Sequence, residues 1–138
     1  MDRAEVEAWV EDLRSAWEAA NPVQIGALFA DDAEYLTTPF GKGLQGRDSI
    51  VAYWSREMST QDRVEVRMGR PVIDGERVAV EWWAVITSNG SQITDAGALM
   101  LELSGDRCRR LAEYWMLEEG GIEPAEGWGA EPGSKLIG

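Results

Sequence analysis

Residues 77–117 read RVAVEWWAVITSNGSQITDAGALMLELSGDRCRRLAEYWML, and this run decides the fold. Asn89-Gly90 stands between two alternating apolar segments. That is the strongest short-range hairpin signal, because both residues accept the positive φ that a two-residue turn demands. A tight turn there fixes the register, so that Ile86 faces Ile93, Ala84 faces Asp95, Trp82 faces Gly97 and Val80 faces Leu99. Ser104-Gly105-Asp106 then turns the chain into a last strand from about Cys108 to Leu117. With the turn at Gly105-Asp106, Gly97 also opposes Tyr114, and Asp95 opposes Met116.

Upstream, Val64, Val66 and Met68 alternate with Arg63, Glu65 and Arg67, a half-buried strand stopped by Gly69 and Pro71. Before Arg63 the apolar period changes to that of a helix. Val6, Trp9, Val10, Leu13, Ala16, Trp17 and Ala20 form one face of a helix over Arg3 to Ala20. Asn21-Pro22 supplies a cap and a first helical residue for a short second helix running through Ile25, Leu28 and Phe29 and ended by Asp31-Asp32. Ala33 to Thr38 is strand-like up to Pro39, and a third helix starts at Asp48 or Ser49, carrying Ile50, Tyr53, Trp54 and Met58 on one face. Helices first and an antiparallel meander afterwards predict an α+β fold in which helices cover one face of a curved sheet.

Alternation places Val78, Val80, Trp82, Ala84, Ile86, Ile93, Asp95, Gly97, Leu99, Leu101 and Leu103 on that inner face, with Tyr114 and Met116 opposite them. Asp95 is the one charged residue of that set on the two strands flanking Asn89-Gly90. A bare Gly97 between Trp82 and Tyr114 reads either as a cavity floor with aromatic walls or as a bulge in a bent sheet. The outer face, with Trp83, Val85, Ala96, Ala98, Met100, Leu111 and Trp115, is too apolar to stand in water. A second copy could cover it, with Trp83, Trp115, Met100 and Leu111 in a homodimer interface, or the C-terminal segment could fold back over it through Trp128. That segment, 118–138, holds six Gly, two Pro and five Glu and reads as a tail behind a domain over 1–117.

The 138 residues contain no histidine. This excludes Ser-His-Asp and Cys-His nucleophile systems and His-ligated zinc, and leaves carboxylates, tyrosines, arginines, the single Cys108 and the two lysines, Lys42 and Lys135, for chemistry. The net charge of −12 argues against nucleic acid or an anionic membrane as partner. It divides as −7 over 1–34, −1 over 35–117 and −4 over 118–138, so the sheet region is nearly neutral. No apolar run is long enough to span a bilayer, and the acidic start MDRAEVEAWVED is unlike a secretion signal, so a cytoplasmic location is expected. Asp31-Asp32 is too sparse for a metal site and Gly41-Lys42-Gly43 too short for a phosphate loop, so neither metal nor cofactor is expected.

Leu28-Phe29-Ala30-Asp31-Asp32-Ala33, Pro39 and Gly41, Gly46-Arg47-Asp48-Ser49-Ile50 with Tyr53-Trp54, and Glu113-Tyr114-Trp115 together resemble the nuclear transport factor 2-like superfamily, in its SnoaL-like and ketosteroid isomerase-like branch. The resemblance covers about residues 5 to 117. It implies a conical barrel, or cystatin-like roll, of a curved, mostly antiparallel mixed sheet wrapped around three N-terminal helices, with an apolar pocket and usually a dimer. The isomerase's own machinery is not matched. The position of its base falls on Thr38, that of its oxyanion-hole tyrosine near Leu13 and that of its protonated aspartate at Leu99.

The resulting expectation is a pocket for a hydrophobic cyclic or aromatic molecule, lined by Leu13, Trp17, Tyr35, Thr38, Tyr53, Trp54, Trp82, Gly97, Leu99 and Met116. An enzyme of this design would transfer protons without a cofactor, with Asp95 as acid and base and Tyr114 as hydrogen-bond donor. The alternative is a module that binds a ligand or dimerises without catalysis.

Overall fold

The computed structural model describes residues 2–129. α1, Arg3–Glu18, starts where the Asp2 carboxylate accepts from the Glu5 amide at 2.9 Å. It buries Val6, Trp9, Val10, Leu13, Ala16 and Trp17. Asn21 caps α2, Pro22–Gly26, through the Gln24 amide. The expected continuation of α2 to Phe29 does not occur. β1, Phe29–Leu36, begins there instead, because the Leu28 carbonyl accepts from the Cys108 amide at 2.8 Å and Phe29 packs edge-on under Trp9. Partners in a neighbouring strand outweigh the local helical pattern, and Asp31-Asp32 lie within the strand.

After the two-residue β2, Leu44–Gln45, α3 runs over Arg47–Ser59. Its start is held by Gly46, at φ 86°, whose amide donates to the Ala33 carbonyl, and not by the expected side chain of Asp48 or Ser49. β3 (Arg63–Met68), β4 (Val72–Asp74), β5 (Arg77–Ser88), β6 (Ser91–Ser104) and β7 (Arg107–Glu119) follow. The sheet order is β2-β1-β7-β6-β5-β3, with β4 on β5. β1 and β7 are parallel and the remaining pairs antiparallel. This is the α+β cone expected from the sequence, with α1 and α3 packed into the concave side.

The β5–β6 register agrees with the sequence reading throughout, from Ile86 opposite Ile93 to Val80 opposite Leu99. The β6–β7 register does not. It starts as expected, with Ser104 opposite Arg107 and Leu103 opposite Cys108, but Glu102 then pairs with Arg110. Arg109 is an extra residue, a β-bulge, and every later side chain of β7 changes face. Gly97 therefore opposes Trp115, Asp95 opposes Leu117, and Glu113 faces inward opposite Leu99. Tyr114 and Met116 point outward and are exposed. Leu111 belongs to the core and Trp115 to the concave side, so neither lies on the outer face assigned to them.

Part of that outer face is covered by the chain's own tail. Beyond β7, which continues past the expected boundary at 117, the Gly120 carbonyl accepts from the buried Thr94 hydroxyl and the Ile122 carbonyl from the Trp83 indole. Trp128 packs edge-on against Trp83 at 5.8 Å, and Glu123 pairs with Arg67. Residues 130–138 of the expected tail lie outside the described residues. No helix among the described residues is long and apolar enough to cross a membrane.

Candidate active site

The open end of the cone holds a cavity of about 420 Å³ between α1, α3 and the concave sheet. Of the residues expected to line it, Leu13, Trp17, Tyr35, Thr38, Tyr53, Trp54, Trp82, Asp95 and Leu99 do so. Gly97, Tyr114 and Met116 do not. The bulge at Arg109 turns Tyr114 and Met116 to the other side of the sheet, and Tyr114 is thereby removed as a hydrogen-bond donor to the cavity. Gly97 leaves no room for a ligand either. A Cβ there would stand 2.9 Å from the Trp115 Cα and run into the Tyr114 carbonyl, so the glycine serves the close approach of the β7 backbone.

The bulge brings in residues that the sequence reading did not place here: Glu113, Trp115 and Leu117 from β7. Glu57 from α3 adds a third carboxylate at the exposed rim. Trp115 is fixed by its indole N–H, which donates to the Thr37 carbonyl at 2.7 Å. The aromatic rings form a continuous chain. Trp17 meets Trp54 edge-on at 5.3 Å, Trp54 meets Tyr53 at 6.1 Å, and Tyr53 is tilted against Tyr35 at 5.8 Å.

Glu113 is the polar centre of this wall. Part of its side chain opens to the cavity, while its carboxyl lies deep among protein atoms and accepts from the Tyr35 hydroxyl. Burial pushes its pKa up to about 8; the Tyr35 hydrogen bond works against that rise, and the negative charges of Asp95 and Glu57 add to it. Asp95 is raised to about 6, first by burial and then by Glu57. Tyr35, fully buried, is held well above the ordinary phenol value by burial and by Glu113. Tyr53 is raised as well, by burial and the surrounding carboxylates.

At pH 7 the cavity thus holds one mostly ionised carboxylate and one mostly neutral carboxylic acid. The first can accept a proton and the second can donate one. Tyr35 occupies Oε1 of Glu113, which leaves Oε2 for the acidic proton. Five buried polar atoms of the lining have no partner among the described residues: Nε1 of Trp17, Trp54 and Trp82, Oε1 of Gln61 and Oδ1 of Asp95. Unpaired buried polar atoms are costly, and a ligand can supply their partners.

Cys108 is buried, its thiol pushed up to about 12 by burial, and does not line the cavity. Among the described residues, no cluster of three or more Cys, Asp or Glu side chains is placed to hold a metal ion.

The family model of the SnoaL-like domain matches residues 6–111. No curated protein sequence matches the chain. Among solved structures, a hypothetical protein of ketosteroid isomerase-like fold from Catenulispora acidiphila, in complex with trimethylamine, is 24% identical. Its TM-score is 0.70, over 77% of this chain and 83% of that one. A candidate scytalone dehydratase from Novosphingobium aromaticivorans is 17% identical, with a TM-score of 0.75 over 91% of this chain and 92% of that one. The Δ5-3-ketosteroid isomerase of a Mycobacterium species is 18% identical, with a TM-score of 0.68 over 83% of this chain and 98% of that one. At these identities the likeness is one of fold.

Proposed function

The chain belongs to the SnoaL-like domain family, and from that premise we propose that its cavity binds a hydrophobic cyclic or aromatic small molecule and moves a proton on it without a cofactor. The reaction would be of isomerase, cyclase or dehydratase type. One observation carries this reading: two carboxyl groups in one aromatic-walled cavity, Asp95 at about 6 and Glu113 at about 8, whose pKa values straddle neutrality. Asp95 takes the proton as base. Glu113, oriented by Tyr35, donates a hydrogen bond or a proton to an oxygen of the substrate as charge develops there. The apolar wall keeps water away from both groups and strengthens these interactions. The Catenulispora fold neighbour was solved with a small amine bound, and the scytalone dehydratase and ketosteroid isomerase neighbours bear the names of lyase and isomerase chemistry. These likenesses support a ligand-holding cone.

We also propose a homodimer through the part of the outer sheet face beyond the tail, where Tyr114 and Met116 are exposed beside Met100.

The test of the catalytic reading is solvent deuterium incorporation, followed by NMR, into a panel of cyclic ketones and hydroxyketones. The wild-type chain should accelerate exchange at one carbon next to the carbonyl, and Asp95→Asn should lower that rate by about two orders of magnitude or more. Ligands that bind without any exchange above buffer would leave a non-catalytic binding module in its place.

A further inference from the structure

We infer that the ligand of this cavity is an organic cation, a substituted ammonium that also carries an oxygen acceptor, held between aromatic faces and the carboxylates of Asp95 and Glu57. The inference rests on the reading of the cavity as a ligand site and adds the chemical class. Trp17, Tyr35, Tyr53, Trp54, Trp82 and Trp115 present six aromatic side chains to one space. Glu57, Asp95 and Glu113 present three carboxyl groups to the same space, and none of its lining residues among the described residues is lysine or arginine. Arg56 lies next to Glu57 on α3 and acts on Tyr53, but it is exposed and outside the lining.

An anionic ligand would meet this negative field with nothing to balance it. A neutral ligand would leave the half-buried Asp95 carboxylate without a counter-charge, which is costly in an apolar setting. A cation removes both difficulties. Its positive charge pairs with the carboxylates, and its alkyl groups lie against the electron-rich ring faces, an attraction that grows once both partners have lost water. The unpartnered atoms give an independent second indication. Oδ1 of Asp95 is a buried acceptor without a donor, which an ammonium N–H or the polarised C–H of an alkylammonium can face. Trp82, 3% exposed, and Trp17, 9% exposed, have indole N–H groups without an acceptor, which calls for an oxygen on the same ligand.

The experiment compares two probes of one shape by calorimetric titration at pH 7.5: benzyl(hydroxyethyl)dimethylammonium and its uncharged isostere, in which carbon replaces the nitrogen. The inference predicts that the cation binds about tenfold or more tightly than the isostere. It also predicts that Asp95→Asn and Glu57→Gln each reduce that preference several-fold, with isostere binding showing that each variant is folded. Equal or tighter binding of the isostere overturns the cationic class and leaves the cavity standing as a ligand site. A cation preference unchanged in both variants places the cation elsewhere on this acidic protein and also overturns the inference. Binding of neither probe removes the ligand-site reading, and the inference with it.

Discussion

Glu113→Gln tests the electrostatics of the cavity through stability. Glutamine keeps the shape and still offers an oxygen to the Tyr35 hydroxyl, but it cannot ionise. In the wild type, Glu113 has a folded pKa of about 8 against an ordinary value of 4.5. A carboxyl whose pKa is raised by folding binds its proton more tightly in the folded state. Its stabilising contribution is therefore complete below 4.5 and is lost as pH rises through 8. Within that window each pH unit costs about 1.4 kcal/mol, so between pH 5.5 and 8.5 the wild type should lose about 3 kcal/mol that the glutamine variant does not. Asp95 titrates near 6 in both proteins and, with all other groups, largely cancels in the difference. The assay is urea unfolding of both proteins at the two pH values, followed by tryptophan fluorescence. A wild-type-minus-variant difference that is independent of pH would refute the account, because Glu113 would then not titrate in this window. A difference that grows in favour of the wild type as pH rises would refute it more strongly, by showing that the fold stabilises the ionised form.

Three further outcomes follow from the geometry. Gly97→Ala should destabilise the fold by about 3 kcal/mol, the upper end of overpacking costs, because its methyl group meets the β7 backbone at Tyr114 and Trp115; an unchanged melting temperature would mean that β7 does not approach so closely. Trp83→Ala removes the edge contact to Trp128 and the hydrogen bond to the Ile122 carbonyl, about 1–2 kcal/mol of tail docking. Hydrogen exchange over 120–129 should accelerate while exchange of the core strands stays slow, and unaltered exchange of the tail would contradict the docking. Met116→Lys places a charge at the proposed dimer face, so light scattering should show the wild type as a dimer and the variant as a monomer, whereas a monomeric wild type would remove the dimer.

The sequence made the β5–β6 half of the cavity legible, because Asn89-Gly90 forces one turn geometry and the alternating apolar residues on both sides fit one register. Asp95 was found by that route. Its companion Glu113 was not, because the β-bulge at Arg109 inverts the second half of β7, and arginine carries none of the glycine signal that marks some bulges. Nor did the segment correct itself. In Leu111-Ala112-Glu113-Tyr114-Trp115-Met116-Leu117 both alternating sets are largely apolar, so a shift by one residue leaves either face plausible. One clue was available: if Leu111 belongs to the core, Glu113 and Trp115 share its face. At Gly97 the letter alone does not distinguish space left for a ligand from space taken by a neighbouring backbone. α2 shows the same limit in another form, since Leu28 and Phe29 continue its helical spacing but find their backbone partners in β7.

Two carboxyl groups share the cavity and hold their protons over different ranges of pH. Carboxyl carbon NMR of the wild type, with the Asp95 and Glu113 resonances assigned through Asp95→Asn and Glu113→Gln, measures this directly. Midpoints near 6 for Asp95 and near 8 for Glu113 are the expected result. Titration of both groups below about pH 5, in the ordinary carboxylate range, would contradict it and leave the cavity without an acid and a base at neutral pH.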